Sequence, residues 1–419
     1  MQKQTQRVFL GISATLLVLM GGVIGFRLGK GDNVPLLSSA MRVVPASSKL
    51  SGTNTPDAYK KVDFSHFWEV WGKLEENYFD PSKLDTQKMV DGAIAGMTSA
   101  LGDPYTMYLP KTEQKRTSDD LQGQFDGVGI QLGYKNQTLV VIAPLKGLPA
   151  EAAGVKAGDY ILHIRDDAKK INKDTSGLSL PEAVSLIRGP KNSSVFLTFL
   201  REGGKPEEKE LKRDTISVPS VDLTYIDKDG KKYAHLKLSQ FGGNTNAEWK
   251  KAVADILSQS TPVKGMILDV RNNPGGFLQE AVAIASEFIP NGVVVSQEGK
   301  DQKIPYYALD GGKLTKMPVV VLINKGSASA SEIVSGALRD RRQAKLIGET
   351  SFGKGTVQDA MELEDGTGLH VTIAKWLTPS GEWVHDKGLK PTIEVKIDPN
   401  ATDMTKDPQL DEAVKQLAN

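Results

Sequence analysis

Apolar residues recur along this chain in two rhythms, and the change from one to the other divides it into segments. Phe64, Phe67, Trp68, Trp71 and Leu74 follow one another at three- and four-residue steps, which predicts an amphipathic helix. Thr86 to Ala100 keeps that rhythm with Met89, Val90, Ile94 and Met97 on one face. Leu101-Gly-Asp-Pro-Tyr105 then stops it, with Gly in the C-cap region and Pro just beyond. From about Gln124 the pattern changes to strands, seen in Leu139-Val-Val-Ile142, Tyr160-Ile-Leu-His-Ile164 and Val195-Phe-Leu-Thr-Phe-Leu200. One helix interrupts them, opening on the capping-box pattern Ser179-Leu-Pro-Glu182 and ending at Gly189-Pro190. From about Ile216, apolar runs at Tyr233–Leu238, Gly265–Val270 and Pro318–Ile323 alternate with helical stretches at Ala247–Leu257, Phe277–Phe288 and Ser331–Arg339. That alternation predicts an α/β layer structure. Asp407 to Leu417 reads as a short terminal helix.

The N-terminus has a different pattern. No charge occurs from Val8 to Phe26, a length that at helical rise matches the roughly 30 Å of a bilayer core. Arg27-Leu-Gly-Lys30 follows it where a cleaved signal would carry a small-x-small site, so an uncleaved anchor is the expectation. Basic residues flank it on both sides. The very short leading tail favours an inside N-terminus and an exported remainder. Residues 31 to about 58, rich in Ser, Pro, Gly and Asn, read as a flexible tether.

Composition then narrows the chemistry. The chain has 419 residues, enough for two or three domains, and a net charge of +1, which offers no footprint for nucleic acid. Cysteine is absent, which excludes disulfides, thiol catalysis and Cys-ligated zinc. None of the five histidines, His66, His163, His235, His370 and His385, lies in a Gly-x-Ser-x-Gly elbow or a His-Glu-x-x-His helix. The aromatic stripe at 64–74 reads as core or as a dimer contact.

Catalytic promise concentrates in Gly326-Ser-Ala-Ser-Ala-Ser-Glu-Ile333 and Ser351-Phe-Gly-Lys-Gly355. The first sets serines at the start of a helix, where backbone N–H groups and the helix dipole favour a developing anion. The second supplies Lys354, a general base once neutral, and burial favours the neutral form. Ser327, Ser329 and Ser331 all remain candidate nucleophiles on residue type, with Ser331 suited to a helix N-terminus and Ser327 to a loop. If the segment after Lys354 is a strand from Lys354 onward, Gln358 shares its face and can hold the amine. Asn272-Asn-Pro-Gly-Gly276 follows a buried strand, and its glycines permit close approach to a substrate carbonyl. Gly348 to Lys354 nearly spells a P-loop, but Gly355 replaces the magnesium-binding hydroxyl and a strand follows, so nucleotide is not expected. Ser351-x-x-Lys354 also fits the penicillin-binding motif, which needs a helix that Gly353 and Gly355 disfavour.

Two resemblances gather these pieces. Gly127-Val-Gly-Ile130, followed by Ala153-Gly-Val-Lys-Ala-Gly-Asp159, resembles the carboxylate loop and following block of a bacterial PDZ domain, in which a peptide C-terminus adds a strand. The whole chain resembles the carboxyl-terminal processing peptidases, tail-specific serine proteases with a Ser-Lys dyad. Leu101-Gly-Asp-Pro-Tyr105, the PDZ unit, Asp269-Val-Arg-Asn-Asn-Pro-Gly-Gly276, Asn324 to Ile333, Phe352-Gly-Lys-Gly-Thr-Val-Gln358 and Leu377-Thr-Pro-Ser-Gly381 occur in the family's order. Thr392 departs from the family's usual Asp, away from any catalytic role. The resemblance implies Ser329 as nucleophile, Lys354 as base and Gln358 as its orienter. It further implies Gly275 or Gly276 with Ala330 as oxyanion donors, and Gly127, Val128, Gly129 and Ile130 as peptide-binding positions.

The implied fold is multidomain α/β. An anchor (1–30), a tether (31–61), a helical region (62–120), a PDZ domain (121–213), a ClpP/crotonase-like protease core (214–400) and a C-terminal helix (401–419) follow in order. The implied enzyme is a membrane-anchored, extracytoplasmic serine endopeptidase acting on exposed C-terminal tails of unfolded proteins. It would use no metal, cofactor or nucleotide, and would form a homodimer through its terminal helices. The rival reading is a non-catalytic PDZ scaffold.

Overall fold

A computed structural model describes residues 62–135, 137–397 and 406–418. The expected anchor at 8–26 and the tether lie outside the described residues. Among the described residues, no helix is long and apolar enough to cross a membrane. The chain divides into two compact units, one ending at Tyr108 and the other beginning at Leu109.

The first unit contains the helices Ser65–Asn77 and Thr86–Ser99. Asp85 caps the second through Lys88 N–H, and Tyr108 Oη bonds Asp91 at 2.9 Å. The aromatic stripe is not a core: helix Ser65–Asn77 buries none of its residues, and Phe64, Trp68 and Leu74 are exposed.

The second unit opens with helix Lys111–Leu121, which the sequence pattern did not predict. A PDZ-like sheet follows, running in the order Ile130–Lys135, Thr138–Pro144, Tyr160–Asp166, Ser194–Leu200, Glu207–Lys212, with Ile171–Asp174 paired beside Tyr160–Asp166. Its core includes Val141, Ile161, Ile164, Val195 and Leu197, against Ala183 and Ile187 of helix Leu180–Ile187. The expected capping box at Ser179 and Glu182 is present.

The larger core is built on a six-stranded sheet in the order Val221–Lys228, Lys231–Leu238, Val263–Asp269, Val319–Ile323, Lys345–Gly348, Ile393–Glu394. The first pair is antiparallel and every later pair is parallel. Parallel strands are covered on both faces, which explains why Val319–Ile323 is apolar throughout and wholly buried. Alternation distributes its side chains. Val319, Val321 and Ile323 pack with helices Thr245–Ser258, Leu278–Ser286 and Ala330–Arg342, while Val320 and Leu322 pack with Ala413 and Val414 of helix Pro408–Ala418. In a second sheet, Gly368–Leu377 pairs with Thr356–Glu362 on one side and with Val293–Gly299 on the other.

Three adjacent parallel strands end side by side, at Asp269, Ile323 and Gly348. The loops leaving them carry Asn272 to Gly276, Asn324 to Ser329, and Ser351 to Lys354. Loops at the carboxyl ends of parallel strands are where such sheets form their sites.

Candidate active site

Helix Ala330–Arg342 begins at Ser329, whose backbone sits at φ 54° and ψ −113°. A non-glycine residue there carries about 1–3 kcal/mol of strain, which the surroundings must hold. The Ser329 carbonyl accepts from Ile333 N–H at 2.8 Å, and its N–H donates to Glu332 Oε2 at 2.8 Å. The helix suits its dipole, with Glu332 in the first turn and Arg339, Arg341 and Arg342 in the last. Ser329 lines a small cavity with Gly276, Leu278, Ala330, Ile333, Thr356, Val357, Gln358 and Trp376.

The other two serines are committed elsewhere. Ser327 Oγ donates to the Val270 carbonyl and Ser331 Oγ to the Asn273 carbonyl, each at 2.8 Å, and both residues are fully buried. Asn273 joins this turn to the glycine loop. Its carbonyl accepts from Ala328 N–H, its Nδ2 donates to the Leu238 carbonyl, and its Oδ1 accepts from Gly275 N–H at 2.8 Å. With its N–H engaged by Asn273, Gly275 is the less suited of the two glycines expected as oxyanion donors. Gly276 adopts φ +140° and lies against Phe241, whose N–H donates to the Gly275 carbonyl and whose carbonyl accepts from Phe277 N–H.

Lys354 is 1% exposed and lies in a loop, not in the strand assumed for it, because strand Thr356–Glu362 starts two residues later. Strand alternation therefore does not relate Lys354 to Gln358. Side chains hold this loop. Lys354 N–H donates to Glu332 Oε2 at 2.9 Å, and the Lys354 carbonyl accepts from Trp376 Nε1 at 2.9 Å. The Gly355 carbonyl accepts from Trp383 Nε1 at 2.9 Å, and Gly355 N–H donates to His385 Nδ1 at 3.3 Å. Gln358 Nε2 donates to the Thr356 and Thr372 hydroxyls at 2.9 and 3.0 Å. Its amide oxygen is thus the end that acts as an acceptor. Burial is the main cause that holds His370 down at about 4.

Ser351 is no exposed nucleophile. Its Oγ donates to Glu332 Oε1 at 2.5 Å and accepts from Leu389 N–H at 2.6 Å. The loop around it is not helical, and the strand after Lys354 leaves no helix N-terminus to receive a phosphate, as the sequence indicated.

Sequence reasoning passed over Glu332, although Ser329-Ala-Ser-Glu332 spells a capping box that signals it. Burial pushes its carboxyl up from the ordinary value, while the Ser351 hydroxyl and three backbone N–H groups pull the other way. The net effect is upward, yet three of the four partners are backbone N–H groups that can only donate, the donor set that an ionised carboxylate accepts. Below the site, burial alone would raise Asp269, yet hydrogen bonds from His235 and Arg271 hold it at about 2. Arg271 also grips Asp407 through two bonds of 2.9 and 2.8 Å, joining the C-terminal segment to the strand that carries the glycine loop.

In the PDZ-like unit, Gly127 to Ile130 line a groove with Phe125, Val184, Ile187 and Arg188. Among the described residues, strand Ile130–Lys135 is the edge of its sheet and pairs with one neighbour, the arrangement that strand addition needs. Gly129 adopts φ +76°, and a β-carbon there would stand 2.5 Å from Leu148.

Comparison with known proteins agrees with this geometry. The family model described as peptidase family S41 matches residues 232–395, a PDZ domain model matches 116–200, and the model of the activating protease CtpB N-terminal domain matches 37–113. The carboxy-terminal processing protease CtpA of Bacillus subtilis is 36% identical over 83% of this chain and 71% of its own length. CtpB of the same organism is 34% identical over 84% of this chain and 72% of its own. A solved putative S41 protease from Bacteroides fragilis superimposes with a TM-score of 0.50 at 17% identity, over 87% of this chain and 99% of that one, a likeness of fold.

Proposed function

The chain belongs to peptidase family S41, as a serine-type carboxyl-terminal processing protease with a PDZ domain, and we propose that Ser329 and Lys354 form its catalytic dyad. The observation that carries this reading is the placement of Ser329. It is held in a strained turn at a helix start, in one cavity with Gly276, Ala330 and Gln358, while its two serine neighbours are tied to carbonyls.

In this mechanism Ser329 Oγ attacks the scissile carbonyl as Lys354 Nζ removes its proton. Burial penalises the ammonium relative to the amine, which suits Lys354 to that task. Ala330 and Gly276 N–H groups receive the oxyanion. The tetrahedral intermediate collapses to an acyl-enzyme as Lys354 returns the proton to the leaving amine; water deprotonated by Lys354 then attacks the acyl carbon, and Lys354 passes that proton to Ser329 Oγ as the acyl–oxygen bond breaks and the acid leaves. Gln358 Oε1 accepts from Lys354 Nζ and aims it. Substrates enter as exposed C-terminal tails, captured on the PDZ groove by addition to strand Ile130–Lys135. The N-terminal segment anchors the enzyme in the membrane with its catalytic domain outside the cytoplasm. The exposed aromatic face of helix Ser65–Asn77 fits a contact with a second copy.

Casein digestion by wild type, Ser329→Ala and Lys354→Ala tests the dyad. Both variants are expected to lose at least about 1,000-fold in kcat. Digestion at the wild-type rate by either variant, or by both, removes the reading.

A further inference from the structure

Glu332 is fully buried, carries an ionisable group, and takes no step in the mechanism above. Its two oxygens serve two separate segments. Oε2 accepts from Ser329 N–H at 2.8 Å and Lys354 N–H at 2.9 Å, so one atom joins the backbone of the nucleophile to that of the base. Oε1 accepts from Gly353 N–H at 2.7 Å and Ser351 Oγ at 2.5 Å, fixing the rest of the lysine loop. Backbone bonds from Ser351 N–H to the Leu389 carbonyl, from Phe352 N–H to the Ser327 carbonyl and from Asp386 N–H to the Gly353 carbonyl hold the loop elsewhere, and Glu332 supplies the bonds that reach the Ser329 and Lys354 N–H groups themselves. The Ser329 turn has an unfavourable backbone conformation that must be held from outside.

We propose that Glu332 is a positioning residue, a carboxylate strut that fixes the distance and orientation between Ser329 and Lys354. The proposal rests on the Ser329–Lys354 reading. Its chemistry requires a carboxylate: each oxygen is met by two donors, and an amide at this position must turn its NH₂ toward one of those pairs. If the NH₂ faces Ser351, the hydroxyl can rotate, but Gly353 N–H is left opposed. If it faces the other way, both the Ser329 and Lys354 N–H groups are opposed. In either orientation the loop moves relative to the nucleophile.

The test compares full-length wild type, Glu332→Gln, Glu332→Ala and Ser329→Ala on a fluorogenic peptide with an apolar tail. Rates are expressed per folded molecule, the folded fraction being read from thermal unfolding and from tail-peptide binding by the PDZ unit. A misplacement on the order of 1 Å between reacting groups costs about 100-fold, and that loss is expected in kcat for Glu332→Gln with KM within about twofold. Formate at high concentration is expected to recover part of kcat in Glu332→Ala by supplying a carboxylate to the four donors. A kcat loss wholly accounted for by lost folded protein, or Glu332→Gln turning over at the wild-type rate, overturns the strut. Ser329→Ala separates the two levels. If it stays active the dyad itself is wrong, whereas an inactive Ser329→Ala beside a fully active Glu332→Gln removes only the role of Glu332.

Discussion

Gly276 provides a sharp test of the site, because the structure shows what a single added carbon would meet. A β-carbon there would stand 2.1 Å from the Phe241 carbonyl oxygen and 2.7 Å from its carbonyl carbon. Ordinary contact begins near 3.4 Å, so Gly276→Ala must open the gap by more than about 1 Å. Phe241 cannot yield freely, since both its N–H and its carbonyl are bonded to the glycine loop itself. The displacement therefore falls on the glycine loop, the segment proposed to present the Gly276 N–H to the substrate. A misplacement of about 1 Å is worth roughly 100-fold in kcat, or about 2.7 kcal/mol in the barrier. The backbone at φ +140° also resists a side chain, and stability is expected to fall by at least about 1–2 kcal/mol. Gly230→Ala is the matched control. Gly230 has φ +71° in a hairpin turn with nothing within 4 Å of the added carbon, so it should lose about 1 kcal/mol of stability and no kcat. Steady-state kinetics on a fluorogenic peptide and thermal unfolding of both variants decide the matter. Equal kcat for Gly276→Ala and Gly230→Ala would refute the assignment of Gly276 to the oxyanion site.

Two further outcomes follow from buried charges. Arg213 and Asp166 form a pair at 2.7 Å with neither side chain more than 1% exposed, and Arg213 also holds the Ile187 and Ser194 carbonyls. Arg213→Met strands the Asp166 carboxylate and should destabilise the PDZ unit by about 3–5 kcal/mol in urea titration, with Asp166→Asn in the same chain recovering part of it. His370 sits at about 4 in the folded protein against an ordinary 6.5, so the unfolded chain binds the proton first as pH falls. Stability should hold above about pH 6.5 and fall by roughly 2–3 kcal/mol toward pH 4, a limb that His370→Gln removes from the pH dependence of the unfolding midpoint.

The long elements were legible because burial imposes a period. Helices at 245–258, 278–286 and 330–342 and the strands beside them fell within a few residues of the apolar pattern. Helix Lys111–Leu121 was not, since Leu121 is its only apolar residue. Strand Lys303–Tyr307 carries Pro305 in its middle, which reads as a break, yet on a sheet edge the missing N–H is tolerated. Within the site, Ser329 and Lys354 stood out through the motifs around them, and Gly276 through its loop. What escaped was the partnership of each. Glu332 bonds backbone groups 21 and 22 residues away, which depends on where loops meet and which no local spacing encodes; the Asn273 bond to Gly275 N–H, by contrast, is a local turn of the kind Asn favours.

The clamps on the lysine loop also bear on the order of biosynthesis. Ser329 leaves the ribosome well before Trp376, Trp383, His385 and Leu389, the residues that grip Lys354, Gly355 and Ser351. Asp407, which ties Arg271 beneath the glycine loop, is made later still. A growing chain thus carries Ser329, the proposed nucleophile, before the residues that hold the Lys354 loop exist, and a product truncated before Trp376 lacks those clamps.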